Sequence, residues 1–390
     1  MSFLGSLFSL GPSGKLSEAS QWMSALSPGR GLLASDVSEM QAMGIPVVYS
    51  AIGIVSDSLA QLPLDVFRSV GQRKVKQDGH PIDLCFNRQL NRYTAAFTGR
   101  SVSQSHVLGW GNGYLEIERR GGELEALWAL LPDRTYPDKD GGEVRFRTTV
   151  DSQNYSLDYG NVLHVPAWGF DGITGYSPIH MHRNAVWLAA ATEKYGIKFF
   201  ENDAKSGGFI QYPGQLGPKA KDNLEDSANR RSGLEHAHRI KVLEEGAKFI
   251  QTTIPPEDAQ FLATRTFQVE EVARIYRIPL HMLQSHAKDT SWGTGIHEQQ
   301  IGFLVFTLAP HIIRWEQEIN RKLFSKDEQR AGFYVKFNVS GLLRGNARER
   351  AEMYKLAIEA GWLTVNEVRE LEDREPFAEE PVNVERMEAA

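Results

Sequence analysis

Apolar positions change their spacing several times along this chain, and the changes divide it. From Ile45 to Leu59 they recur at helical intervals (Val48, Ala51, Ile52, Val55, Leu59), which predicts a helix ending before Leu62-Pro63-Leu64. Short alternating runs follow at Leu64–Arg68, Gly113–Arg119, Glu143–Arg147 and Val162–Val165, separated by Gly-Gly, Asp-Gly and Pro-Asp turns. The region to about residue 170 is therefore expected to be mixed, with a meandering antiparallel sheet and a few helices.

The second half reads differently. Ser177 as N-cap with Pro178 at the first helical position predicts a helix to Asn202, roughly 26 residues and about 39 Å long. A small segment comes next: a strand at Phe209–Tyr212, a polar helix at Pro218–Arg231 and a hairpin at Ile240–Ile250. Pro255-Pro256 opens another helix with Leu262, Val269, Val272, Ala273 and Tyr276 on one face, and Pro279 closes it. A polar loop leads to the clearest amphipathic pattern of the chain (Ile301, Leu304, Val305, Leu308, Ile312, Trp315, Ile319, Leu323), where Pro310 predicts a kink. A strand from Phe333 and helices at Arg348–Glu359 and Thr364–Glu370 follow. The Gly-, Ser- and Leu-rich start and the Glu-rich end carry no period and are expected to be flexible. The fold class is α+β.

Composition narrows the function. The 390 residues suggest two or three domains. The apolar stretch Ile301–Ile313 is too short to cross a bilayer, and the N-terminus has no basic region of the kind a signal peptide carries, so no membrane partner is expected. Cys85 is the only cysteine, which rules out an intrachain disulfide and a cysteine metal cluster and fits synthesis in a reducing cytoplasm. The net charge of −6 argues against tight nucleic-acid binding, since affinity there comes from Lys and Arg neutralising phosphates. It does not argue against a conduit along which DNA must slide.

Catalytic chemistry finds little support. His180 and His182 fall on a predicted helix, where residues two apart do not face each other, and His236 and His238 have no carboxylate pattern nearby. Trp292-Gly-Thr-Gly295 lacks the lysine of a phosphate loop and follows a helix, not a strand. No Gly-x-Ser-x-Gly or His-Glu-x-x-His motif is present. No residue is nominated as catalytic, and no cofactor or metal is expected.

Several blocks, in order, resemble the portal protein family of tailed double-stranded-DNA bacteriophages. They are Leu62-Pro63-Leu64 with His80-Pro81; Asn91-Arg92-Tyr93-Thr94, with Leu90 in place of a proline; Gly111-Asn112-Gly113-Tyr114; and Asp171-Gly172-Ile173-Thr174-Gly175-Tyr176-Ser177-Pro178. Further on come Ala273–Pro279, Leu342-Leu343-Arg344-Gly345-Asn346, with Asn for Asp, and Gly361-Trp362-Leu363-Thr364-Val365-Asn366-Glu367-Val368-Arg369. Each block is weak alone; their shared order carries the resemblance.

The resemblance implies a portal-type fold: a flexible arm at 1–35, a mixed wing domain at 36–174, an antiparallel two-helix stem at 175–205 and 255–280, and a small α/β clip at 206–254. It also implies a tunnel loop at 281–296, a kinked wing helix at 297–330, a wing strand with a helical crown at 331–377, and a flexible tail at 378–390. A homo-oligomeric ring of roughly twelve subunits would form the channel for DNA packaging and ejection at one capsid vertex of the virion. Implied partners are double-stranded DNA passing without sequence readout, the terminase large subunit, the major capsid protein or scaffold, and neck or adaptor proteins.

Under the resemblance Ser285, His286, Lys288, Asp289, Thr290, Ser291 and Trp292 belong to the tunnel loop at the narrowest constriction, with Trp292 expected to pack the loop base rather than touch DNA. Lys288 beside Asp289 balances charge there, so duplex DNA is not held. Lys219, Lys221, Arg230, Arg231, Arg239 and Lys241 of the clip, interleaved with acidic residues, are the expected motor-docking positions. The rival readings are a neck adaptor and a nucleotide or metal hydrolase.

Overall fold

Ser38 is the N-cap of a single turn, α1 (Glu39–Ala42), in a reciprocal capping box with Gln41. The computed structural model describes residues 38–71, 73–140, 142–169, 171–201, 208–211, 248–251, 258–283, 294–343, 347–372 and 374–378. The first predicted helix forms as α2 (Pro46–Ala60), and its expected face, Val48 to Leu59, is buried. Strands β1 (Leu64–Val70) and β2 (Arg73–Lys76) follow, then α3 (Pro81–Asn87), β3 (Gln89–Asn91) and β4 (Thr94–Ala95). Helix α4 (Ala96–Trp110) was not placed by spacing. Its buried residues include Ser103, Gln104 and His106 as well as Val107 and Leu108, so polar side chains mask its inward face.

The sheet region is not one meander. Strand β5 (Asn112–Arg120) pairs antiparallel with β6 (Glu123–Leu130) across the left-handed Gly121-Gly122 turn. Its other edge takes β10 (Val162–Pro166), with Leu163 opposite Leu115. Between them β7 (Thr135–Asp140), β8 (Glu143–Val150) and β9 (Gln153–Asp158) form a separate three-stranded antiparallel sheet. β1 pairs with β13 (Phe333–Phe337), Leu64 opposite Phe337, a partner from far along the chain. Alternation within one strand reports its own two faces and says nothing of its neighbour.

Two helical expectations are corrected. The helix expected from Ser177 to Asn202 is broken: α5 (Pro178–Met181) ends at His182, whose backbone leaves the helical region (φ −108°, ψ 24°), and α6 (Arg183–Glu201) starts afresh. Helix α7 (Asp258–Tyr276) packs along α6, and the antiparallel strand pair of β11 (Gly208–Gln211) and β12 (Lys248–Gln251) lies between them in sequence, while residues 240–247 of the expected hairpin lie outside the described residues. Ala189 and Glu193 of α6 line the same cavity as Arg265 and Val269 of α7, at matching distances from that strand pair, so the two helices run antiparallel.

The Pro310 helix consists of α8 (Thr294–Gly302), a π-helical segment Phe303–Leu308, and α9 (Ala309–Lys322). Proline lacks the N–H that would bond the Phe306 carbonyl and crowds that oxygen, and the wider turn makes room. One extra residue per turn rotates the following face by about 100°. Val305, expected inside, is thus 50% exposed, while Phe303 and Thr307 are buried. Past it, Ile312, Trp315 and Ile319 return to the core, with Trp315 edge-on to Phe86 at 6.3 Å. The chain closes with α10 (Lys326–Arg330), β13, α11 (Ser340–Leu343), α12 (Ala347–Glu359) and α13 (Val365–Leu371).

Candidate functional site: the root of the paired helices

Two of the sequence blocks interlock where β5 meets the start of α5. Gly111, left-handed at φ 80°, ends α4, and its carbonyl accepts from Ala167 N at 2.8 Å. Asn112 reaches across: Oδ1 accepts from Gly175 N (2.8 Å) and Nδ2 donates to Gly175 O (2.9 Å). This pairing fixes the amide orientation, so His164 Nε2, 3.0 Å from Oδ1, is the protonated ring nitrogen. Burial, with Lys322 and Arg321 nearby, pulls the His164 pKa down to about 3 and keeps the ring neutral.

The backbones approach too closely for side chains. A Cβ on Gly175 would lie 2.0 Å from Gly111 O, and one on Gly111 would lie 2.3 Å from Tyr176 C and O. Asp171 Oδ1 accepts from Ile173 N and Thr174 N at 2.9 and 2.7 Å, holding the turn that delivers Gly175. Ser177 then caps α5, accepting from His180 N at 3.0 Å, and its hydroxyl lies 2.7 Å from Gly109 O.

The other blocks are corners of the same kind. Arg100 donates to Leu62 O, Asn338 N to Pro63 O, and the Asn87 amide binds both Leu64 N (3.0 Å) and Leu64 O (2.8 Å). His80 Nδ1 accepts from Ile82 N at 3.2 Å and caps α3. Asn91 donates to Leu127 O and accepts from Tyr93 N. At the C-terminus Thr364 and Glu367 form a capping box, and Asn366 holds Phe377 by both backbone groups. Arg369 donates to Glu375 O at 2.6 Å and lies 4.0 Å over the Phe377 ring. None of these side chains is left free for chemistry.

Helix α7 ends in a Schellman geometry: Ile278 N donates to Ala273 O (2.9 Å) and Arg277 N to Arg274 O (3.3 Å). The left-handed position of this motif, normally glycine, is Arg277 at φ 57°. Thr307 Oγ1 of the π-helical segment donates to Arg277 O, tying the two elements together. On the far side of α9, Lys322 Nζ donates to Tyr159 O at 2.9 Å and to Val162 O, and sits 3.8 Å from the Tyr159 ring centroid. Burial pulls its pKa down to about 8.

The expected tunnel-loop residues, Ser285, His286, Lys288, Asp289, Thr290, Ser291 and Trp292, lie outside the described residues. So do the docking positions Lys219, Lys221, Arg230, Arg231, Arg239 and Lys241, the pair His236 and His238, and the Arg344-Gly345-Asn346 block. His180 and His182 flank the break between α5 and α6. Among the described residues, no group of three or more His, Cys, Asp or Glu side chains could hold a metal. Spacing missed Arg277, although one signal was present: an arginine two residues before the helix-closing proline, where glycine is usual.

The model of the phage portal protein family matches residues 46–373. The chain belongs to that family. It is 32% identical over 354 residues to the probable portal protein of Streptomyces phage phiC31, covering 87% of this chain and 77% of that protein. It is 31% identical over 348 residues to the portal protein of Enterobacteria phage HK97, covering 88% and 82%. In fold it is similar to a chain from the neck of an empty gene transfer agent particle, with a TM-score of 0.59, 21% identity and coverage of 91% and 98%. The crystal structure of an HK97-family portal protein from Corynebacterium diphtheriae gives a TM-score of 0.58 at 16% identity, covering 80% and 98%. The fold is α+β and portal-type, and the chain is a phage portal, or connector, protein.

Proposed function

We propose that copies of this chain close into a ring of roughly twelve at one vertex of a capsid, where the ring conducts double-stranded DNA during packaging and ejection. In this reading the role is structural and its setting is the virion. The β-rich region to residue 174 with the Pro310 helix forms the wing, and α6 with α7 forms the stem. Residues 206–254 form the clip that docks the terminase motor and later the neck proteins; the capsid protein or scaffold meets the wing. Residues 281–296 face the DNA and the C-terminal helices form the crown.

One observation carries the reading: a helix, an insert whose two ends pair as antiparallel strands, and an antiparallel helix, rooted in an interlock of backbones, within a chain of the portal family. Such a pair is a strut, and a strut repeated around a closing axis surrounds a passage. Lys288 next to Asp289 supports a passage that releases DNA, because phosphate contacts dominate affinity.

Electron microscopy of the purified chain tests this. Rings with a central channel are expected. Compact monomers at all concentrations, or turnover of ATP or cleavage of DNA by the purified chain, would overturn it.

A further inference from the structure

A cavity of about 130 Å³ opens where the end of α7, the π-helical segment and α9 meet the Ala167-Trp168 backbone. Its charged lining is entirely cationic: Arg277 and Arg314, with His311 between elements. No Asp or Glu lines it, and no carboxylate among the described residues pairs with either arginine. Arg314 is half-buried, and its pKa is lowered by burial and by Arg277, which is itself exposed. Gln104 Oε1 accepts from Trp315 Nε1 at 2.8 Å, so its Nε2 donates to His311 Nδ1 at 3.1 Å. The neutral imidazole is thereby left with Nε2–H as a further donor.

Two guanidiniums and an imidazole N–H line the cavity with no carboxylate among the described residues to accept from them, and the rim is aromatic and open to solvent. Trp168 is 75% exposed and Phe306 69% exposed. Arg277 is held in the left-handed region, an expensive conformation for a residue with a Cβ. Arginine beside exposed Trp and Phe is the composition of a protein-contact centre. A duplex phosphate is a poor occupant: it stays on the duplex surface and does not enter an apolar-walled hole. A carboxylate on a flexible side chain does enter, and guanidinium forks match it.

We propose that this pocket receives a carboxylate side chain from a second copy of this chain, as one half of a repeated contact between neighbouring subunits. The inference rests on the ring reading above. Charge supports the choice of partner: each copy carries 49 acidic against 43 basic residues, so a neighbour brings surplus carboxylates to a locally cationic hole. A pocket on one surface that takes a side chain from a different surface is a head-to-tail contact, the kind that closes rings.

Arg277→Gly separates folding from assembly. Glycine is at ease at this backbone position, so the variant subunit should melt at or above the wild-type temperature. Its rings, and those of Arg314→Ala, should dissociate at severalfold lower NaCl than wild type, read by native mass spectrometry and negative-stain microscopy. p-Benzoylphenylalanine at Trp168 should give an ultraviolet-dependent crosslinked dimer, with the attached peptide containing Asp or Glu. Rings of unchanged salt resistance in both variants, or a crosslink confined to the same chain, would overturn the pocket assignment alone. Variant rings that assemble normally but lose retention of fluorescent duplex DNA would instead assign the pocket to DNA and also overturn it. Wild-type protein that forms no rings would overturn both this inference and the ring reading.

Discussion

Replacing Gly175 with alanine should be among the most damaging single-methyl changes available in this chain. The added Cβ would stand 2.0 Å from Gly111 O and 2.5 Å from Ala167 N. Ordinary carbon contacts are about 3.5–4.0 Å, so relief demands a shift of more than about 1 Å. Neither neighbour can swing away, because both are backbone atoms bonded to each other at 2.8 Å. The shift must therefore come from Gly175, which breaks its paired bonds to the Asn112 amide. Overpacking costs about 1–3 kcal/mol, and two lost hydrogen bonds about 1 kcal/mol each, for a total of about 3–5 kcal/mol. That is a large share of the roughly 5–15 kcal/mol that holds a typical domain folded.

The matched control is Gly53→Ala, in the middle of α2 with nothing within 4 Å of the added carbon; it should gain up to about 1 kcal/mol. Urea unfolding of the three proteins, followed by tryptophan fluorescence, reads the difference. Deuterium exchange at the Gly175 amide reports whether the interlock itself has opened. A Gly175→Ala midpoint within about 0.5 kcal/mol of wild type would refute the close approach.

Other consequences are testable on the same footing. His164 has a folded-state pKa near 3, below the unfolded value of about 6.5, so as pH falls the unfolded chain takes up a proton that the folded chain refuses. Its contribution to stability is therefore lost progressively below pH 6.5, at about 1.4 kcal/mol per unit, and His164→Gln should flatten the stability–pH slope by that amount in denaturant titrations at pH 5–6.5. An unchanged slope would remove His164 as its source. Thr364→Ala deletes a capping-box oxygen and should cost about 1 kcal/mol in the unfolding of the C-terminal helices. Asn366→Ala should free residues 374–378, seen as faster exchange at Phe377 and tryptic cleavage after Arg374, with the core exchange pattern unmoved.

Legibility followed burial. Helix α2 and the α9 half of the amphipathic helix were readable because apolar residues dominate their inward faces, with Ser56, Glu316 and Lys322 as buried exceptions. Helix α4 escaped because Ser103, Gln104 and His106 lie on its buried side: Ser103 and Gln104 bond partners that spacing cannot reveal, and His106 packs edge-on to Trp110. The break at His182 was invisible for a related reason: the Ser177-Pro178 start signal is genuine, but it serves a helix of four residues. The pairing of β1 with β13 joins segments more than 250 residues apart, which no local pattern encodes. Val305 shows the same limit at finer scale, since periodicity assumes 3.6 residues per turn and Pro310 imposes a local exception.

The blocks that revealed the family sit where the chain turns, and their polar atoms bind backbone. Asn112 ties one strand end to one turn, Asn87 satisfies both backbone groups of Leu64, and Asn366 does the same for Phe377. A buried backbone group without a partner costs about 1–3 kcal/mol, so Asn112, whose bonds to Gly175 are buried, is constrained by geometry whatever the protein does, while Asn366 fixes an exposed segment. Such residues therefore identify the scaffold and are silent about the work done on it. The pocket of Arg277, Arg314 and His311 has the opposite character: no carboxylate among the described residues pairs with its arginines, and Arg277 sits in a backbone conformation that local stability disfavours. Satisfied side chains explain why this chain folds as a portal subunit. Under the proposal above, the cationic pocket is where a neighbouring subunit would supply the balancing charge.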